Sequence, residues 1–173
     1  MTCIVAVRVP GVGCVLGCDS RVTVGTEILT DLCDKYFVAG PCAGAIAGYD
    51  GGLLQALVAA KGVDAVRAAA LKYTEDREKL DWSALLYDQR ADKLGYLDSS
   101  GAWLPLGSTA AQGCGAAYAL GYLSGQPTPR TLDQAHALAE AAVKVAIRHD
   151  SACGGRVRAV RAPRGARSRC VVT

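Results

Sequence analysis

Thr2-Cys3-Ile4-Val5-Ala6-Val7-Arg8-Val9-Pro10-Gly11-Val12-Gly13-Cys14-Val15-Leu16-Gly17-Cys18-Asp19 follows Met1 and decides how the rest of the chain is read. Ile4 to Val9 is rich in β-branched residues and predicts a strand. Pro10 to Gly13 is turn chemistry, and Cys14 to Asp19 predicts the returning arm of a hairpin. Apolar runs and turns continue outward from there. Ile28-Leu29 leads to a strand over Lys35 to Ala39, and Cys42 to Ala47 pairs with it after a Gly40-Pro41 turn.

From Gly51 the apolar period changes. Leu53, Leu54, Leu57 and Val58, then Val63 to Leu71, predict two helices broken at Gly62. Trp82 to Tyr87 and Lys93 to Leu97 predict a hairpin, Gly101 to Leu106 a strand, and Ala116 to Leu123 a helix. Thr131 and Gln134 have capping-box spacing, so a long helix is expected from Leu132 to about His149. Alternation over Arg156 to Arg161 predicts a late strand, and Cys170 to Val172 another. Grouped strands and grouped helices favour an α+β fold, with two antiparallel sheets stacked between helices, over an alternating βαβ fold. Residues 1–173 read as a single domain with an Arg-rich C-terminal segment, 156–173.

Composition narrows the function classes. Of 173 residues 51% are hydrophobic, 20% charged and only 6% aromatic, so a core of Ala, Val, Leu and Gly is expected and disorder is excluded. No basic region precedes the first apolar run, which argues against a secretory signal and for a cytoplasmic location. The uncharged stretch between Asp98 and Arg130 is broken by Gly, Ser, Gln and Pro, so no membrane span is expected. Net charge is +3, and Arg156, Arg158, Arg161, Arg164, Arg167 and Arg169 lack interleaved aromatics. A solvated edge strand with a tail explains them better than nucleic-acid binding. No two of the eight cysteines have the two-residue gap of a zinc site, so buried free thiols are expected.

Thr2 carries the chemistry. Thr is small enough that removal of Met1 is expected, leaving an α-amine with a pKa of about 7.7–8.0 that can serve its own hydroxyl as general base. Such an amine needs a neighbouring cation, and the cation a carboxylate to hold it; Lys35 and Asp19 fit those roles. Cys3 alternates to the other face of its strand and reads as core. His136 and His149 have no triad setting. Gly113-Cys114-Gly115 is not a nucleotide loop, because Tyr118 stands where that motif needs Gly.

Taken together these motifs resemble the proteasome β-subunit family, including the HslV-type peptidase subunit, from Thr2 to about Val160. Thr2 precedes an apolar strand, Asp19-Ser20-Arg21-Val22-Thr23-Val24-Gly25 matches the catalytic-Asp segment, and Lys35 follows Asp19 by sixteen residues. Ile46-Ala47-Gly48, Gly113-Cys114-Gly115-Ala116-Ala117-Tyr118-Ala119 and Asp150-Ser151-Ala152-Cys153-Gly154-Gly155 match the remaining motifs, with Cys114 and Cys153 where the family usually has Ser.

The resemblance implies a four-layer αββα sandwich and a threonine-type endopeptidase. It assigns catalysis to Thr2, Asp19 and Lys35, the oxyanion contact to the Gly48 amide, and accessory roles to Cys114, Asp150 and Cys153. Substrate would add as a strand against Thr23 and Gly48, with Val22, Cys33 and Ile46 lining an apolar specificity pocket. No cofactor is needed for the chemistry. The HslV type implies a structural sodium on the backbone carbonyls of His149, Ala152 and Gly155. Expected partners are polypeptide substrates, copies of the chain stacked as rings and an AAA+ unfoldase, with neither nucleic acid nor membrane. Two other readings stay open: an amidase for a small amide, and a non-catalytic architectural ring subunit that retains Met1.

Overall fold

The opening hairpin forms where the turn chemistry puts it, as β1 (Ile4–Val9) and β2 (Gly13–Asp19), with Ile4 opposite Cys18 and Val9 opposite Gly13. The computed structural model describes residues 2–48, 51–75, 81–165 and 170–173. After β2 come β3 (Val22–Val24), β4 (Glu27–Thr30), β5 (Tyr36–Ala39), β6 (Cys42–Ala47), α1 (Gly51–Ala59) and α2 (Val63–Glu75). The second half contains β7 (Ser83–Asp88), β8 (Lys93–Asp98), β9 (Trp103–Pro105), β10 (Thr109–Gln112), α3 (Ala116–Ser124), α4 (Leu132–His149), β11 (Val157–Pro163) and β12 (Val171–Val172).

These elements correct the expected fold class. In place of a four-layer αββα sandwich of two sheets, the described residues form a mixed α/β structure of four helices and three antiparallel sheets. Two sheets have five strands, ordered β10-β1-β2-β11-β12 and β5-β6-β7-β8-β9, and the third is the β3–β4 pair. That pair stands apart for a physical reason. Its strands are short, its register shifts between Val22 and Thr23, and Val24, Ile28 and Leu29 are exposed, so neither strand has a face to offer a larger sheet.

The apolar residues fall into three clusters. Val5, Val7 and Val15 pack with Ala139, Ala142, Val143 and Ala146 of α4. Small residues on that helix let it approach closely: a Cβ on Gly17 would touch Val143 and Ala139 at 3.4 and 3.5 Å. A second cluster joins Ile4, Ala6 and Leu16 to Ala43, Ala45, Leu85 and Tyr87 of the other five-stranded sheet. The third places Phe37, Ile46 and Leu86 with Leu53, Leu57, Val66 and Ala70 of α1 and α2.

Two finer expectations also change. Gln134 N donates to Thr131 Oγ1 at 3.2 Å, but the Gln134 carboxamide accepts from Arg130 N at 2.8 Å, one residue before the cap. The arginine-bearing β11 is no edge strand, since β2 flanks it on one side and β12 on the other. Arg158 pairs with Asp34 at 3.3 Å and Arg161 with Asp133. Arg167 and Arg169 lie outside the described residues, as does Met1. Among the described residues no helix is long and apolar enough to cross a membrane.

Asp92 ties the hairpin to the second sheet. It accepts from Arg8 Nε at 3.0 Å, Gly11 N at 2.8 Å and Tyr87 Oη at 2.9 Å. Burial raises its proton affinity, but the Arg8, Gly11 and Tyr87 hydrogen bonds outweigh that and hold it at about 2, below an ordinary 3.8. A carboxylate depressed that far contributes about 2 kcal/mol, fully present above its unfolded pKa and lost as pH falls through the folded one. Asp92 has φ 52°, a conformation Asn tolerates, so Asp92→Asn isolates the charge. In urea unfolding, Asp92→Asn should be less stable than the parent by about 2 kcal/mol above about pH 5, with the gap closing toward pH 2. A gap independent of pH would refute the assignment.

Candidate active site

β1 and β2 bring Thr2 and Asp19 together because their paired ends carry both residues beyond the last shared rung, Ile4 opposite Cys18. Asp19 N donates to Cys3 O at 3.1 Å, and Cys3 N returns a bond to Asp19 Oδ1 at 2.9 Å. Gly154 N takes the other carboxylate oxygen at 3.0 Å. The carboxylate is thus fixed by two backbone amides before any cation reaches it.

Lys35 enters from the start of β5, where Ile46 N holds its carbonyl at 2.8 Å. Its Nζ donates to Asp19 Oδ1 at 2.8 Å, to Thr2 Oγ1 at 2.9 Å and to Arg21 O at 2.5 Å, so all three ammonium protons have acceptors. Thr2, Asp19 and Lys35 have relative exposures of 1%, 0% and 0%. A charge at that depth is tolerable only with its partners in place.

The other face of Thr2 is sulfur-rich. Thr2 N donates to Cys114 Sγ at 3.3 Å, Cys114 Sγ donates to Thr2 O at 3.4 Å, and the Cys114 and Cys153 sulfurs are 3.7 Å apart. One sulfur or oxygen each from Cys114, Asp150 and Cys153 lies within 4.8 Å of the others. Burial raises the Cys153 thiol, with Asp19 adding to it; Cys114 is raised by burial and by the hydrogen bond its thiol donates to Asp150. Burial, reinforced by Asp19, pushes Cys3 up to about 12. All three thiols are therefore held in the protonated form at neutral pH.

The accessory residues divide. Gly48 is exposed at the end of β6 with φ 79°, where a Cβ would strike Asp81 O and come within 2.9 Å of Trp82 Cα. Val22, Thr23 and Cys33 are half-buried, and Val22 and Thr23 directly follow the Arg21 carbonyl that Lys35 uses. Ile46 is different: its exposure is 0%, and it packs with Leu53 and Leu57 against α1. It is core in this structure and forms no open pocket wall.

Arg21 has a role that its place in the motif did not reveal. Its guanidinium pairs with Asp31 at 2.8 and 3.1 Å and donates to Ser151 O at 3.1 Å, pinning the loop after α4 that carries Cys153 and Gly154. A side chain at Gly154 would collide with it. Ser20 assists by donating to Asp31 O and accepting from Arg156 N at 2.7 Å. Nothing in the spacing of Arg21, Asp31 and Ser151 signals this cluster. Arg21 also bears on the implied sodium at His149, Ala152 and Gly155. Its guanidinium meets the carbonyls of Ser151 and Cys153, not the three carbonyls that the resemblance assigns to a sodium, and the His149 ring stacks on Tyr118 at 5.5 Å.

A cavity of about 680 Å³ lies elsewhere, lined by Pro127, Pro129, Arg130 and Leu138. It sits at the start of α4, whose far end carries the Asp150 loop, separated by roughly 25 Å of helix. No family model matches the chain, and no curated protein matches it.

Proposed function

We propose that the chain is a threonine-type N-terminal nucleophile hydrolase that cuts peptide bonds in polypeptide substrates. The observation that carries this is the 2.9 Å contact of Lys35 Nζ with Thr2 Oγ1, inside a buried site where Asp19 holds the lysine. The chemistry requires the Met1–Thr2 bond to be cut, so that the Thr2 nitrogen becomes an amine.

The free amine takes the hydroxyl proton as Oγ1 attacks the scissile carbonyl, and the Lys35 ammonium stabilises the negative charge developing on Oγ1. The Gly48 amide meets the oxyanion. The leaving amine takes a proton from the Thr2 ammonium, and water then hydrolyses the acyl-enzyme with the same amine as base. No sodium or other cofactor enters any step.

The motif order supports placing the chain beside proteasome β subunits and HslV-type subunits. Exposed Val24, Ile28, Leu29 and Leu32 support self-association, the ring assembly of that class, with an AAA+ unfoldase feeding the chamber. Eight free cysteines suit a reducing cytoplasm.

Intact mass before and after treatment with a peptide epoxyketone tests the proposal. Loss of Met1 and a single adduct, absent in Thr2→Ala, is expected. Retained Met1 with no adduct refutes it in favour of an architectural subunit. Turnover of small amides without labelling refutes it in favour of an amidase.

A further inference from the structure

Cys114, Asp150 and Cys153 converge from the turn before α3 and the loop after α4. We propose that they form a binding site for a thiophilic divalent cation of the zinc and cadmium class. Two thiolates bound at about 2.3 Å to a tetrahedral ion lie about 3.8 Å apart. The observed separation of the two sulfurs is 3.7 Å, so an ion can seat between them without moving the backbone. A disulfide would instead need the sulfurs to close to about 2.0 Å. The Asp150 carboxylate supplies a third donor within 4.8 Å of both sulfurs.

The donor set and its access both favour such an ion. Two sulfurs and one oxygen select soft or borderline metals over magnesium and calcium. The Asp150 carboxylate is oriented by Ala152 N, which donates to its Oδ1 at 2.9 Å. Cys153 is buried while Cys114 is exposed, which gives the ion an anchor and an entry path. The spacing of the cysteines in the chain conceals the site, because its two cysteines lie 39 positions apart.

Thr2 lies beside this donor set, its nitrogen 3.3 Å from Cys114 Sγ. With Met1 removed, that nitrogen is an amine able to ligate the ion, which would withdraw the base from catalysis. This inhibitory clause rests on the peptidase reading; binding itself does not.

Titration of the reduced full-length chain with Cd²⁺ alone, followed by the ultraviolet thiolate-to-cadmium absorption band, tests the site. The band should saturate at one ion per chain, persist in Cys33→Ser, and be lost in Cys114→Ser/Cys153→Ser of unchanged circular dichroism. Cys114→Ser alone, at an exposed position, should weaken binding if the double variant does not fold. Absence of the band, or its survival in the variants, overturns the site. So does formation of a Cys114–Cys153 disulfide with no response to the ion. The measurement does not depend on turnover, so failure of the peptidase reading leaves it intact. Inhibition of peptide cleavage by Zn²⁺, reversed by a chelator, is the added result expected where both hold; cleavage unaffected by saturating Zn²⁺ overturns the inhibitory clause.

Discussion

Lys35→Met should lower kcat/KM on a peptide substrate by about 10³-fold or more, the range seen when one transition-state hydrogen-bond donor is removed from a buried site. It should also destabilise the fold by about 3–5 kcal/mol, because a buried carboxylate loses the ammonium that balances it. The two effects have different origins and can be separated. Asp19 retains its amide donors Cys3 and Gly154 but not the cation that balanced it. In Lys35→Met/Asp19→Asn the stranded charge is gone, so the urea midpoint should recover part of the loss. Recovery is incomplete, since an Asn presents one oxygen where Asp19 used two, and its NH₂ meets an amide donor. Activity should not recover at all, because the ammonium 2.9 Å from Thr2 Oγ1 is still missing. Recovery of turnover alongside stability would reduce Lys35 to a structural residue and remove the main support for the proposed mechanism.

What the sequence made legible follows a physical pattern. Elements set by local chemistry were readable: the Pro10–Gly13 turn between β1 and β2, the Gly62 break between α1 and α2, and the Thr131 cap of α4. Features that depend on partners distant in sequence were not. β10, with the sequence Thr-Ala-Ala-Gln, has weak strand character of its own and is a strand because Ile4 to Val7 pair along it. Every residue of β6 is buried, so its Cys-Ala-Gly-Ala-Ile-Ala run shows no alternation to say which face Ile46 occupies. Ile28-Leu29 reads only as the lead into β5, and its pairing with Val22–Val24 as a separate sheet is not legible, since the decisive property is the lack of a neighbour. The same division runs through the site. Asp19 and Lys35 could be assigned from the needs of an N-terminal amine, whereas the approach of Cys114 to Cys153 and the grip of Arg21 on Ser151 arise from tertiary packing alone.

Gly113→Ala should be the most damaging single-methyl change near the nucleophile. Gly113 has φ 91°, where an L-residue is strained, and an added Cβ would strike the carbonyl oxygen of Thr2 and lie 2.8 Å from its carbonyl carbon. The backbone conformation alone costs about 1–3 kcal/mol, and the overlap adds about 1–3 kcal/mol more. The structure can relieve the overlap by moving the turn at Gly113 or by moving Thr2. The turn is held through Gly115 N, 3.4 Å from Thr2 O, and through the Cys114 contacts, so both movements disturb the same residue. A displacement of about 1 Å at a nucleophile can cost about 10²-fold in rate, and that loss is expected in epoxyketone labelling of Thr2. Gly121→Ala provides the contrast: it lies in α3 with nothing within 4 Å of the added methyl. That change should stabilise by about 0.5–1 kcal/mol through helix propensity and leave labelling unaltered. Were Gly113→Ala to label at the parental rate, Thr2 would not be held by this turn, and the position of its nitrogen beside Cys114 would need another explanation.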